Sequence, residues 1–97
     1  MPTYVLLNNW TDQGIRTIKE SPRRLNATKK AIEAAGGKVL GFYLTMGKYD
    51  SVLIVEAPSD EVAATLALSA GSQGSIRTET LKAFPEAEYR RIIAKIS

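Results

Sequence analysis

Three stretches of this chain are apolar on both alternating sides: Tyr4-Val5-Leu6-Leu7, Val39-Leu40-Gly41-Phe42-Tyr43-Leu44 and Val52-Leu53-Ile54-Val55. No other property of the sequence limits the fold as strongly. A strand turns successive side chains to opposite faces, so apolar residues at consecutive positions call for cover on both faces of the sheet. The helical segments between the strands supply cover for one face. The other face is left apolar without a partner from the same chain.

The first strand is expected over Thr3 to Asn9, and Thr11 then offers a capping hydroxyl with Asp12 in the first turn of a helical region reaching about Ala35. Ile15, Ile18, Leu25, Ala31, Ile32 and Ala35 recur mostly at helical spacings, and Pro22 predicts a kink or a division into two helices. Gly36-Gly37 ends the region. Lys38 to Met46 and Ser51 to Ala57 read as two strands joined in a hairpin. Val39 and Tyr43 are expected on one face of the earlier strand, with Leu40, Phe42 and Leu44 on the other.

Ser59, followed by Asp60 and Glu61, opens a helix with a narrow stripe of Val62, Ala63, Leu66, Ala67 and Ala70. Gly71 to Gly74 is expected as a loop and Ser75 to Ala83 as a fourth, more polar strand. Pro85 suits the first turn of a terminal helix whose apolar face is Tyr89, Ile92, Ile93 and Ile96. The order βαββαβ with an added C-terminal helix predicts the ferredoxin-like α+β fold, a four-stranded antiparallel sheet with its helices on one face. The 97 residues are expected to form a single domain. An apolar face of that size is most simply covered by a second copy about a two-fold axis, so a homodimer is expected.

The chain has no histidine and no cysteine. This removes the usual general base near neutral pH, thiolate nucleophiles, zinc-thiolate and iron-sulfur sites, and the commonest transition-metal ligand. No cofactor and no metal are expected. The leading Met-Pro-Thr-Tyr-Val has no basic lead and no cleavage pattern, and no apolar run is long enough to span a membrane, so a cytoplasmic protein is expected. Positive charge gathers early, at Arg16, Lys19, Arg23, Arg24, Lys29, Lys30 and Lys38 against Asp12, Glu20 and Glu33. It reads either as a solvated helix face or as an anion-attracting one. The segment lacks the stacking aromatics of an RNA-binding sheet, and no phosphate-cradling glycine loop precedes a helix, so nucleic acid is not expected as a partner.

The run GGKVLGFYLTMGKYDSVLIVEAPSDE, with NNWTDQGI before it and RTETLKAF after it, resembles the GYD domain family across nearly the whole chain. Its motif stands here as Gly47-Lys48-Tyr49-Asp50. The family resembles the dimeric α+β barrel superfamily, which implies two sheets packed face to face. Haem- and peroxide-handling enzymes of that architecture rely on histidine, so their chemistry does not carry over. A similar hairpin occurs in the effector-binding domains of Lrp/AsnC-type regulators, at subunit contacts where amino acids bind, but the DNA-binding helix-turn-helix of those regulators is missing here.

For the hairpin, two readings stand side by side. Gly47 and Asp50 either hold a turn in register, or Tyr49 and Asp50 form part of a ligand pocket near a subunit interface. Asn8 and Trp10 lie where a strand end meets a capped helix and are candidate ligand contacts, with turn chemistry as the other explanation. Arg16 is the candidate partner for an anionic group, with Lys19, Arg23 and Arg24 able to share that role and Arg77 joining them if it points inward, and Tyr43 completes the candidate ligand-binding set. Glu56 interrupts an apolar strand and is a candidate general base if buried. The functional expectation is a small-molecule ligand bound at or near a homodimer interface. The alternatives are a cofactor-independent oxygenase or isomerase acting on a small organic acid or aromatic compound, and a structural or assembly module.

Overall fold

The computed structural model describes residues 1–97. Strand β1 runs Thr3–Trp10, followed by α1 (Asp12–Arg16), a 3-10 turn (Ile18–Glu20) and α2 (Ser21–Ala34). Next come β2 (Lys38–Leu44), β3 (Ser51–Glu56), α3 (Asp60–Ser72), β4 (Ile76–Ala83) and α4 (Glu86–Ala94). The strands form one antiparallel sheet in the order β2-β3-β1-β4, as the ferredoxin-like pattern requires.

Local chemistry explains most boundaries. The Thr11 hydroxyl accepts from the Gly14 N–H and that of Ser59 from the Val62 N–H, so each caps the helix that follows. The expected break near Pro22 falls earlier, at Thr17 to Glu20, and Pro22 lies within the first turn of α2, where its missing N–H removes no helical bond. Helix α3 continues through Gly71 and Ser72, where the sequence predicts a loop; Gly74, with φ of 88°, makes the turn instead.

Strand β3 alternates without interruption: Ser51, Leu53 and Val55 are buried towards the helices, while Val52, Ile54 and Glu56 are half-buried on the outer face. Its register with β1 places Tyr4, Leu6 and Asn8 on the same inner face. Tyr4, Ile32, Leu53, Val55, Ala57 and Ala63 form the core, with Leu6, Val39, Phe42, Val62 and Leu66 packed around it. Each large aliphatic side chain removed from water there contributes about 1.5–3 kcal/mol.

Strand β2 departs from its expected facing. An irregularity between Val39 and Gly41 inserts one residue, so Phe42 pairs with Leu53 and Tyr43 with Val52. Val39 and Phe42 therefore share the inner face, and Tyr43 belongs to the outer one. A strict two-residue alternation puts Val39 and Tyr43 together, and the inserted residue is why that expectation fails.

The outer face carries Val5, Leu7, Val52, Ile54 and Leu81, with no helix of the protomer across it. Helix α4 projects from the end of β4 and packs extensively on no other element. Every residue of α4 is exposed, its apolar stripe included. The molecule is elongated as a result, 52 × 31 × 18 Å.

Candidate functional site

The hairpin between β2 and β3 folds back on the end of β1. The Thr45 N–H donates to the Asp50 carbonyl at 2.9 Å and the Thr45 hydroxyl to the Tyr49 carbonyl at 2.6 Å, which closes the loop. Gly47 has φ of 127°, a region that favours glycine, and faces open space. The Asp50 N–H donates to the Asn8 carbonyl at 2.8 Å, and the Asp50 carboxylate accepts from the Trp10 N–H at 2.9 Å. Asp50 thus extends the β1–β3 ladder beyond its last backbone pair.

The Tyr49 hydroxyl donates to the Glu79 carboxylate at 2.9 Å, and this bond, with partial burial, raises the phenol above its ordinary pKa. Glu79 lies opposite Leu7, so Tyr49 reaches β4 across the outer face of β1. Lys48 places its ammonium 5.7 Å from the centre of the Tyr49 ring.

On the inner face, Asn8, Ser51 and Thr78 form one row across β3, β1 and β4. The Asn8 amide donates to the Ser51 hydroxyl at 3.3 Å and accepts from the Thr78 hydroxyl at 2.9 Å. This row is part of the wall of a cavity of about 160 Å³ between the sheet and helices α2 and α3. Leu6, Leu25, Ile32, Phe42, Leu53 and Leu66 supply much of its apolar lining. Arg24 is the single charged residue in the wall.

Arg24 donates through its two terminal nitrogens to the carbonyls of Thr17 and Gly14 and to the Thr17 hydroxyl, at 3.2–3.3 Å. Gly14 is buried and permits this junction: a Cβ there would collide with the Ser75 carbonyl. The Thr11 N–H donates to that same Ser75 oxygen at 3.1 Å. Arg24 therefore stands at the end of the cavity formed by Trp10, Ser75 and Ile76.

The six candidate residues are divided between two faces. Asn8 and Trp10 line the cavity. Tyr43 and Tyr49 belong to the outer face, and Asp50 sits at the strand end between the faces. Arg16 is exposed at the last turn of α1, its Nε donating to the Asp12 carbonyl at 3.2 Å. Glu56 is the last residue of β3, on the outer face between Thr3 and Lys38, away from the cavity. The structure does not bring all six into one pocket.

Ser51 and Thr78 complete the inner polar row, and sequence reasoning passes over both. Their only signal is strand parity with Asn8, which needs the pairing register to be read. Tyr4 is a further surprise: nearly buried, it donates its hydroxyl to Asp60, which Lys82 also approaches at 3.1 Å. Burial first, and then the Asp60 carboxylate, push the Tyr4 phenol up to about 12; the Tyr4 and Lys82 bonds hold the Asp60 carboxyl below its ordinary value.

Comparison with known proteins adds three findings. The GYD domain family model matches residues 4–93. The glutamine synthetase and cystathionine beta-lyase binding protein of Thermus thermophilus is 36% identical over 89 residues, covering 91% of this chain and 94% of that protein. The crystal structure of TTHA0845, also from Thermus thermophilus, superimposes with a TM-score of 0.55 at 26% identity, over 88% of this chain and 95% of that one.

Proposed function

The chain belongs to the GYD domain family, and from that premise we propose that it is a homodimeric binding protein that holds a small molecule between its sheet and helices α2 and α3. The cavity at Asn8 and Trp10 is the observation that carries this reading. An engineered apolar cavity of about 150 Å³ takes up benzene, so a space of 160 Å³ suits a compound of about six to ten non-hydrogen atoms. The cavity lies under the helices, one sheet thickness from the outer face.

Two observations support the dimer. A monomer of 10.6 kDa ordinarily exposes about 5,500 Å². This protomer exposes 6768 Å². The excess of about 1,300 Å² falls within the ~1,000–2,500 Å² that each partner buries in an obligate homodimer. Exposed apolar residues also lie where cover is missing, Tyr43 and Leu81 on the outer face and Tyr89, Ile92 and Ile93 along α4. In this reading the dimer works in the cytoplasm.

A second reading rests on the Thermus thermophilus relative, which is named for binding glutamine synthetase and cystathionine beta-lyase. By that analogy this protein takes metabolic enzymes as protein partners, and the assembly role and the cavity belong to one dimer. A cofactor-independent enzyme draws less support. No carboxylate lines the cavity, and a Tyr4 phenol pushed up to about 12 is a poor acid or base at neutral pH.

Thermal unfolding with a panel of small apolar compounds tests the main reading. A ligand present at a hundred times its Kd stabilises by about 2.7 kcal/mol, which raises Tm by several degrees in a domain of this size. Ala67→Phe, which fills the space from α3, is expected to abolish the rise. If no compound in the panel raises Tm, the cavity reading falls.

A further inference from the structure

The cavity is polar at one end and apolar at the other. Arg24 stands at the end near Trp10, Ser75 and Ile76, and the Asn8–Ser51–Thr78 row lies two residues along the strands from Trp10 and Ile76, about 7 Å. Beyond that row the wall is Leu6, Phe42, Leu53, Val55, Ile32 and Leu66.

Arg24 has no carboxylate partner. The ion pairs of the protein are Arg23–Glu20, Lys82–Asp60 and Arg90–Glu86. The bonds Arg24 makes go to neutral oxygens of Thr17 and Gly14, and its Nε–H has no protein acceptor. A half-buried cation beside apolar surface is costly without an opposite charge, and an anion seated there offsets that cost. The first turn of α2 brings Ser21 and Arg24 into the wall, and its N-cap residue Glu20 turns its carboxylate to Arg23 instead of capping the helix.

The inner row adds a donor. Ser51 accepts from Asn8, and its own hydroxyl proton has no protein acceptor. Thr78 spends its proton on Asn8.

We propose that the ligand is a small monocarboxylate with an apolar body, its carboxylate held by Arg24 and the Ser51 hydroxyl and its hydrocarbon part among Phe42, Leu53 and Leu66. This rests on the ligand-binding reading above and narrows it to a chemical class. A single guanidinium suits one carboxylate better than a phosphate monoester, which carries nearly twice the charge.

The test compares phenylacetate with phenylacetamide, which have the same shape and differ in charge. Calorimetric titration of the full chain is expected to give at least tenfold tighter binding for the acid. Arg24→Gln is expected to bring the two within about threefold, and Arg24→Lys to retain most of the preference. The ratio between acid and amide is read in each variant, so a change in stability common to both ligands cancels. If Arg24→Gln does not fold, Arg24→Met decides, and it is likewise expected to bring acid and amide within about threefold. Equal binding of the two, or a ratio unmoved by both substitutions, overturns the carboxylate proposal and leaves the cavity reading standing. Binding of neither compound, in a protein that also fails to respond to neutral apolar compounds, overturns both.

Discussion

The carboxylate of Asp50 accepts the backbone N–H of Trp10 at 2.9 Å, while the N–H of Asp50 donates to the carbonyl of Asn8 at 2.8 Å. One residue thus holds both sides of the β1 end, the point from which Asn8 and Trp10 enter the cavity wall. Asp50→Ala removes a charge-assisted bond and leaves a partly buried N–H without its partner, at a cost of about 1.5–3 kcal/mol. Asp50→Asn, which keeps an acceptor oxygen, is expected to cost less than half as much. Urea midpoints at one fixed protein concentration check this, so that the proposed self-association does not enter the comparison. Equal losses in the two variants would show that the acceptor is not what matters.

Gly47 is the second part of the motif whose role is in the backbone. Its φ of 127° lies where side-chain-bearing residues are rare, yet a Cβ there would meet nothing within 4 Å. Gly47→Ala is therefore expected to cost about 1–3 kcal/mol from strain alone, with no steric contribution. Gly71→Ala has the opposite sign. That position is helical, its Cβ would make only an ordinary contact with the Ile76 carbonyl, and a gain of about 0.4–1 kcal/mol is expected. Denaturant unfolding of the two variants side by side separates backbone strain from packing.

Strand existence, the helix caps at Thr11 and Ser59 and the uncovered apolar face all follow from local pattern: alternation, capping hydroxyls and a shortage of helices. The site was less legible. Tyr43 changed face because one extra residue entered β2 near Gly41, and nothing in the local run Val39-Leu40-Gly41-Phe42 distinguishes a bulged strand from a regular one. Arg24 is one of six basic residues on the helical stretch from Arg16 to Lys30, and only the placement of α2 on the sheet separates it from exposed Arg16 and Arg23. Asn8, Ser51 and Thr78 lie far apart in sequence, so their row exists only through strand register.

Self-association through the outer face has a direct test. Light scattering at micromolar concentration is expected to give twice the 10.6 kDa of the protomer. Val52 lies on that face between Tyr43 and Leu7, so Val52→Asp places a charge at the proposed sheet-to-sheet contact. The variant is expected to run as a monomer, while the helix-covered face, where Leu53 and Val55 are buried, keeps its strand pairing by circular dichroism. A wild-type protein of protomer mass, or a Val52→Asp dimer of unchanged strength, would refute the outer-face interface.

The Tyr4–Asp60–Lys82 group sets the pH limits of stability. Asp60 has a folded pKa below its ordinary value, so its contribution is present above 3.8 and is lost as pH falls through the lowered value. Tyr4 has a folded pKa of about 12 against an ordinary 10.0, so its contribution is intact below 10 and disappears as pH rises towards 12. The Lys82 ammonium lies 3.1 Å from Asp60 and helps to hold its carboxyl low. Urea midpoints are expected to fall steeply below pH 4 in the wild type and less steeply in Asp60→Asn, which starts from a lower midpoint at pH 7. Tyr4→Phe likewise starts lower, because the bond to Asp60 is gone, yet loses less than the wild type between pH 10 and 12. Parallel curves for Tyr4→Phe and wild type across that alkaline interval would mean that the phenol is not held neutral by its buried place against Asp60.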